Sequence, residues 1–227
     1  MRHRFFSASE LAAGAVVALS SDERHHARVV RVREGEEVEV FDGRGGGFFG
    51  VYSDGAVRLT TATPGREAPV DVHLAMAVIQ LEKFELVLQK ATELGARSII
   101  PMVTERVEVR PERYRGKQER WRKIVFEAVK QSGRTRIPEL AEPREFSDVV
   151  NRDGIRVVFD AEGHAPAAGD RQPAAILIGP EGGWSDNELR IARAEGCRFE
   201  SLGPRRLRAE TAAIVATALV TARLGGF

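Results

Sequence analysis

Two glycine-bearing loops hold the residues of this sequence that are best suited to chemistry. The first is Gly179-Pro-Glu-Gly-Gly183, and the second is Ser201-Leu-Gly-Pro-Arg-Arg-Leu-Arg208, which leads into Ala209-Glu-Thr211. Glycines let a backbone approach a ligand closely, and each loop follows a predicted strand and precedes a predicted helix. Open α/β sheets bind ligands at loops in that position. The sequence therefore predicts a ligand site to which both loops contribute.

The charge of the first loop indicates which ligands it would accept. No Lys-Ser or Lys-Thr pair follows its glycines as in a P-loop, and the GxGxxG spacing is absent. Glu181 lies in the middle of the loop, where its carboxylate would repel a bound phosphate. The loop therefore favours a neutral or cationic ligand, and the alternative is a tight turn that binds nothing.

Charged side chains cluster where the second loop leads into the last predicted helix, Ala212–Leu224. That helix is apolar almost all round, which is typical of a helix buried within a fold or against a partner subunit. Glu210 either interacts with the helix dipole or acts as a site carboxylate held by arginine, and the residues alone favour neither. A third loop, Asp160-Ala-Glu-Gly163, also follows a predicted strand and is expected in the same crevice.

An alternating series of strands and helices is predicted from residue 71 onward. Val72–Ile79 is apolar apart from His73, which fits a strand buried on both faces of a parallel sheet. Lys83–Leu94 carries apolar residues at helical spacing and ends at Gly95. Such a series predicts an α/β fold with a mostly parallel sheet. The further strands are Ser98–Val103, Ile155–Phe159, Ala174–Ile178 and Phe199–Leu202, and a helix around Trp121 ends near Gly133.

Residues 1–70 predict a separate small β domain. Its short strands, Glu37–Phe41, Phe48–Tyr52 and Ala56–Thr61, are separated by turn signals at Asp42-Gly43 and Asp54-Gly55. A linker rich in proline and glycine follows at residues 64–69. The sequence thus predicts two domains, at residues 1–70 and 71–227.

A basic run, Glu23–Glu36, precedes those strands and has two interpretations. It is either a solvated face or a surface for nucleic acid, where arginines contact phosphates. His25 and His26 are adjacent, so on a strand they would point to opposite faces, and no metal site is predicted. The arginines that could contact nucleic acid are Arg24, Arg28, Arg31 and Arg33, together with Arg134 and Arg136 after the glycine at position 133.

The composition is that of a globular protein that carries little net charge. Of 227 residues, 43% are hydrophobic and 30% are charged, with a net charge of +1. The single cysteine, Cys197, excludes an internal disulfide and fits a reducing compartment. No apolar run approaches the roughly 20 residues of a membrane span, and residues 1–11 lack the apolar core of a signal peptide. We expect a cytoplasmic protein without a membrane segment.

Five stretches of the sequence together resemble one family. IGPEGGWSDNE (178–188) and LGPRRLRAETA (202–212) are similar to the paired signature of the bacterial 16S ribosomal RNA uridine-N3 methyltransferases. KATELGARSIIP (90–101) and EAVKQSGRTRIP (127–138) resemble two further motifs of that family, in the expected order. ERHHARVVRVREGEEVEVFDGRG (23–45) resembles its RNA-binding domain. The resemblance extends over nearly the whole chain.

The resemblance implies a fold, a cofactor and partners. Residues 1–70 would form a PUA-like β-barrel, and residues 71–227 a SPOUT methyltransferase domain whose chain forms a trefoil knot. Family members act as homodimers on 16S ribosomal RNA of the small subunit. They bind S-adenosylmethionine in the knotted loops, and the cationic sulfonium agrees with the charge of Glu181. The implied cofactor residues are Phe159, Asp160, Ala161, Glu162, Gly179, Pro180, Glu181, Gly182, Gly183, Leu202, Gly203, Arg206 and Leu207.

The implied reaction is methyl transfer to N3 of uracil, a nitrogen that carries a proton. We expect Arg208 to stabilise the negative charge that develops on the uracil, and Glu210 to accept the proton or orient the base. Two alternatives stay open: a ribose 2′-O methyltransferase of the same superfamily, and an RNA-binding protein without catalysis. The chain departs from the family pattern at Arg206, Val107 and Lys130, where aliphatic, serine and acidic or small residues respectively are usual.

Overall fold

The chain divides into two units in a computed structural model that describes residues 2–164 and 174–226. The first unit is Met1–Glu67 with Val129–Ile137, and the second is Ala68–Ala128 with Pro138–Phe227. The division between residues 67 and 68 lies within the linker proposed at residues 64–69. The sequence predicted a single boundary, after residue 70. In the structure Val129–Ile137 also belongs to the first unit.

The first unit is built on a five-stranded sheet with the strand order β1-β3-β4-β5-β2. Asp54 and Gly55 connect β4 to β5 with φ angles of 45° and 72°, as in a type I′ hairpin turn. Alternate residues of the strands, among them Phe5, Val38 and Leu59, are buried in one hydrophobic cluster. The strands are β1 (Arg4–Phe6), β2 (Val16–Ala18), β3 (Glu37–Phe41), β4 (Gly47–Ser53) and β5 (Ala56–Ala62).

The basic run begins with a helix, α1 (Ser21–Val29), and the interpretation of His25 and His26 as strand residues is wrong. The hydroxyl of Ser20 accepts a hydrogen bond from the backbone N–H of Glu23 at 3.2 Å and caps the helix. This capping serine and the acidic residues of the first turn start a helix despite the many charges. Arg24 and Arg28 therefore lie on one helix face, four residues apart.

Buried ion pairs hold Val129–Ile137 within the first unit. The guanidinium of Arg4 donates to the carbonyl oxygens of Val129, Lys130 and Arg134 at 2.7 to 3.0 Å. The carboxylate of Glu67 accepts from Arg134 at 2.6 Å and from the backbone N–H groups of the next two residues. Burial alone would raise the pKa of Glu67, but these donors lower it below its usual value. Glu67 is therefore ionised and paired in the folded chain.

Replacing Glu67 by alanine is expected to destabilise the chain by about 3 kcal/mol, because the buried Arg134 guanidinium loses its counter-charge. Glu37→Ala is the matched control. Glu37 pairs with Arg2 where both side chains are half exposed, and such a pair contributes about 1 kcal/mol or less. Chemical denaturation of the two variants measures the difference, and equal losses would contradict the structural role of Glu67.

The second unit contains a sheet in which every described strand pairing is parallel. The strands are β6 (Val72–Ala77), β7 (Ser98–Val103), β8 (Glu139–Leu140), β9 (Arg144–Glu145), β10 (Ile155–His164), β11 (Ala174–Ile178) and β12 (Arg198–Glu200). The helices are α2 (Leu81–Glu93), α3 (Pro111–Tyr114), α4 (Gln118–Ser132), α5 (Phe146–Val150), α6 (Asp186–Ala194) and α7 (Ala209–Arg223). The strand order is β12-β10-β11-β6-β7-β8, with β9 also paired to β7. The α/β fold predicted from the alternating pattern is confirmed.

Two boundaries in the second unit differ from the prediction. Asp160–Gly163 is not a free loop, because β10 continues to His164 and pairs again with Glu200 of β12 after a register shift. A Cβ on Gly163 would overlap the backbone of Glu200, so only glycine permits this close approach. Helix α7 begins at Ala209, three residues before the predicted start, with Arg208 as its N-cap residue. No helix among the described residues is long and apolar enough to cross a membrane.

His73 and Ser98 form a polar pair across β6 and β7. The imidazole Nδ1 lies 2.7 Å from the Ser98 hydroxyl oxygen. Burial lowers the pKa of His73 below 6.5, and the nearby charges of Asp71, Arg152, Arg97 and Glu139 contribute less. The unfolded chain therefore binds more protons than the folded chain between the lowered pKa and 6.5, and the free energy of unfolding falls as pH decreases through that window.

We expect His73→Gln to make the stability of the chain less dependent on pH. Between about pH 7.5 and about pH 5.5, the free energy of unfolding should fall more steeply for the wild-type chain than for the variant. Urea titrations at several pH values measure the free energy of unfolding of both chains. Subtracting one curve from the other removes the contributions of the other histidines, which both chains share. A difference that does not change with pH would contradict the assignment.

Candidate active site

Three adjacent parallel strands end at the predicted site. β12, β10 and β11 are neighbours in the sheet, so their carboxyl ends meet at one edge. The loop Gly179–Gly183 follows β11, and Ser201–Arg208 follows β12. Asp160–Gly163 forms the end of β10. The structure thus gathers the three predicted segments at a single sheet edge.

A cavity of about 490 Å³ opens at this edge. Its size is within the range of small-molecule sites. Ala161, Leu202 and Gly203, which are three of the predicted cofactor residues, line it. Among the described residues its lining includes none of Gly179–Gly183. The remaining lining residues are Gly163, Ser201, Pro204 and Leu219.

Trp184 connects the end of β10 to the loop that follows β11. Its buried indole N–H donates to the carbonyl oxygen of Phe159 at 3.0 Å. A Cβ on Gly179 would lie 3.0 Å from the indole ring, so the loop backbone packs directly on the tryptophan. Trp184 was not among the predicted site residues. It comes directly after the glycines, and its large apolar ring was the signal that it anchors them.

The acidic residues of this edge differ in exposure. The carboxylate of Glu181 is exposed and lies 3.4 Å from the ammonium of Lys83. Asp160 Oδ1 accepts a hydrogen bond from the backbone N–H of Glu162 at 2.9 Å, while the Glu162 side chain is exposed. Phe159 itself is buried. The end of β10 and the loop after β11 therefore present carboxylates to solvent, which favours a cationic ligand at these two segments.

Ser185 and Glu188 form a capping box at the start of α6. Both reciprocal hydrogen bonds of the box are present at the start of α6. The buried Glu188 carboxylate also accepts a hydrogen bond from the backbone N–H of Glu105, in the segment after β7, at 3.0 Å. This second role was not predicted, because a contact over 83 residues leaves no local pattern in the sequence.

Arg208 is the N-cap residue of α7 and Glu210 lies in its first turn, but their environments differ. Arg208 is exposed, as are Arg205 and Arg206. Glu210 is only 9% exposed, and its Oε2 atom has no hydrogen-bond partner among the described residues. Leaving a buried carboxylate oxygen without a donor costs free energy. The described residues give Glu210 no salt bridge to arginine, so its Oε2 atom is an acceptor that no described residue uses.

One face of α7 packs inside the second unit, and the other is apolar but partly exposed. Ala213, Ala216 and Val220 are buried. Leu219 is 40% exposed, and its neighbours on the helix surface include Val215 and Ala218 at intermediate exposure. Such a face is typical of a helix that contacts another surface.

Most of the predicted RNA-contacting arginines are accessible. Arg24, Arg28, Arg31 and Arg33 are exposed, and Arg136 is partly exposed. Arg134 differs, because it is 4% exposed and its guanidinium pairs with Glu67. Its place in the structure is that of a buried ion-pair partner, and it is not part of the RNA surface proposed below.

Comparison with known proteins establishes the family. Residues 66–221 match the model of a family described as an RNA methyltransferase domain, and residues 19–56 match that of an RNA methyltransferase PUA domain. The ribosomal RNA small subunit methyltransferase E of Synechocystis sp. is 36% identical over 240 residues, which cover 99% of this chain and 78% of that protein. The chain belongs to the ribosomal RNA small subunit methyltransferase E family.

Another relative and two solved structures are similar over most of the chain. That of Aquifex aeolicus is 30% identical, with 93% of this chain and 96% of the relative covered. The crystal structure of the Neisseria gonorrhoeae member, bound to S-adenosyl methionine, has a TM-score of 0.90 at 26% identity, with 98% of each chain covered. A Legionella pneumophila methyltransferase in complex with the bound cofactor SAM has a TM-score of 0.83 at 33% identity, with 98% of each chain covered.

Gly163→Ala is expected to destabilise the chain by about 2 kcal/mol, since the added Cβ meets backbone atoms of Glu200 that cannot rotate away. Gly65→Ala is the control, because nothing lies within 4 Å of its added Cβ. Thermal and chemical unfolding of both variants provide the measurement. A Gly163→Ala chain as stable as the control would show that β10 and β12 do not approach as described.

Proposed function

We propose that this chain transfers the methyl group of S-adenosylmethionine to N3 of a uridine in 16S ribosomal RNA of the small subunit. The observation that carries the proposal is the buried Glu210 carboxylate. Its Oε2 has no donor among the described residues, and it follows the exposed Arg208 at the sheet edge. Membership of the methyltransferase E family supports the substrate class.

The residues at the edge fit the proposed cofactor. S-adenosylmethionine supplies a methyl group on a positively charged sulfur, and the cavity of about 490 Å³ has the volume of a small-molecule site. The carboxylates of Asp160, Glu162 and Glu181 carry a charge opposite to that of the sulfonium. The residues proposed to hold the cofactor are Phe159–Glu162, Gly179–Gly183, Leu202, Gly203, Arg206 and Leu207.

Arg208 and Glu210 suit the two requirements of methylation at a protonated ring nitrogen. The N3 proton must leave, and the Glu210 carboxylate can accept it or the hydrogen bond that orients the base. The Arg208 cation can stabilise the negative charge that then develops on the uracil oxygens. The uracil must also leave its stack to reach the methyl group, and the remaining rate enhancement comes from positioning.

The proposal includes the RNA surface, the knot and the second subunit. Arg24 and Arg28 on α1, with Arg31, Arg33 and Arg136, would hold the RNA backbone through phosphate contacts.

The part-exposed apolar face of α7 supports a homodimer in which a second copy covers Leu219. The trefoil knot of the SPOUT superfamily would involve the three segments at the sheet edge.

The deciding experiment is transfer of labelled methyl from S-adenosylmethionine to purified small subunits that lack the modification, with the product nucleoside identified by mass spectrometry. We expect N3-methyluridine. Arg208→Ala and Glu210→Gln should each lower kcat roughly 100-fold or more, while the affinity for S-adenosylmethionine changes little. Arg205→Ala is the matched control, because it removes an exposed arginine of the same loop that has no role in the proposal.

Three other outcomes would overturn the proposal in different ways. A methylated ribose would keep the cofactor site but show a 2′-O methyltransferase. Bound cofactor without transfer would show that the small subunit is the wrong substrate. A chain that does not bind S-adenosylmethionine at all would refute the enzyme mechanism.

A further inference from the structure

A short segment after β7, Thr104–Val107, contacts the loop Gly179–Gly183. A Cβ on Gly182 would lie 3.2 Å from the Cβ of Arg106 and 3.3 Å from its carbonyl oxygen, so the two backbones touch. The backbone N–H of Val107 donates to the carbonyl oxygen of Thr104 at 3.2 Å and closes the turn. The turn is therefore closed by backbone atoms, and the serine usual at position 107 is not needed for that hydrogen bond.

Glu105 is held in place although its side chain is exposed. Its backbone N–H donates to Glu188 at 3.0 Å, and its carboxylate accepts from the side-chain amide of Asn187 at 2.7 Å. Hydrogen bonds from Asn187 and from the Ser185 hydroxyl lower the pKa of Glu105, so the carboxylate stays ionised. Its partners belong to the N-cap and first turn of α6, where the helix dipole also favours a negative charge.

The next residue, Arg106, directs a guanidinium at the loop. Its Nη1 atom donates to the carbonyl oxygen of Gly182 at 3.3 Å. An arginine has five N–H donors, and within the described part of the chain Arg106 forms no salt bridge. The neighbouring carboxylate of Glu181 is paired with Lys83. Arg106 thus offers an exposed cation beside the loop without a counter-charge from that loop.

We infer that Arg106 binds a phosphate of the substrate RNA next to the target uridine, and that Glu105 is the positioning residue that holds it there. The inference rests on the proposed function, because a uridine brought to the cofactor carries its flanking phosphates to the same edge. Arginine is the side chain best suited to bidentate phosphate contacts. The Arg106 side chain is exposed to solvent, where the phosphates of a bound RNA strand can reach it.

Arg106→Ala tests the phosphate contact. The KM for small subunits should rise roughly 10-fold. The slope of log K for RNA binding against log[salt] should become shallower by about 0.7 to 0.9, which is the contribution of one phosphate contact. The value of kcat and the affinity for S-adenosylmethionine should stay within about twofold. Arg122→Ala is the matched control, since it removes an exposed arginine of the same unit that pairs with Glu142.

A double-mutant cycle tests the positioning role of Glu105. Glu105→Ala should raise the KM for small subunits about 5-fold in the wild-type background and leave it unchanged in the Arg106→Ala background. Glu105→Gln keeps an oxygen that accepts from Asn187, so it should restore the wild-type KM. An equal loss in both backgrounds would show that Glu105 acts on folding and not through Arg106.

The remaining outcomes are also decisive. An Arg106→Ala chain with unchanged KM and salt slope would overturn the phosphate contact, and a selective loss of S-adenosylmethionine affinity would assign Arg106 to the cofactor. A wild-type chain that transfers no methyl would refute the proposed function. In that case filter binding of small subunits by the same variants still decides whether Arg106 contacts RNA.

Discussion

Parallel strand pairing in a buried sheet is the constraint on which the site depends. β6 and β11 are buried almost completely, so their backbone groups must pair with neighbouring strands. Because the described pairings are all parallel, every strand delivers its following segment to the same edge. The chemistry proposed at that edge uses residues more than a hundred positions apart, from Thr104–Val107 to Arg208 and Glu210. No local motif could hold them together without the sheet.

Two kinds of contact connect the segments at that edge. The contacts of Trp184 and Gly163 are close packing, which tolerates almost no change of side-chain volume. Glu105, Asn187 and Glu188 rely on hydrogen bonds between side chains and backbone, which depend on direction more than on volume. The proposed cofactor loops are thus packed against the fold from one side, whereas the arginines of the proposed RNA surface are largely exposed.

Local patterns predicted much of the fold, and long-range contacts account for what they missed. Ala174–Ile178 was placed correctly because a short apolar run before a glycine loop is typical of a buried parallel strand. The helix at Ser21–Val29 was missed because its charges hid the capping signal of Ser20. The continuation of β10 to His164 depends on its pairing with β12, and the burial of Arg134 depends on Glu67. Each of these contacts joins residues far apart in sequence, so local propensity and residue spacing could not predict it.

The positions of the two tryptophans determine what optical measurements on this chain can report. Trp121 and Trp184 both belong to the second unit, and the first unit has none. Intrinsic tryptophan emission therefore reports on the second unit and carries no direct signal from the β domain. Trp184 packs on Gly179 of the proposed cofactor loop, so we expect its emission to change when a ligand contacts that loop, without any added label. Following the β domain requires a different signal, such as tyrosine emission or an introduced fluorophore.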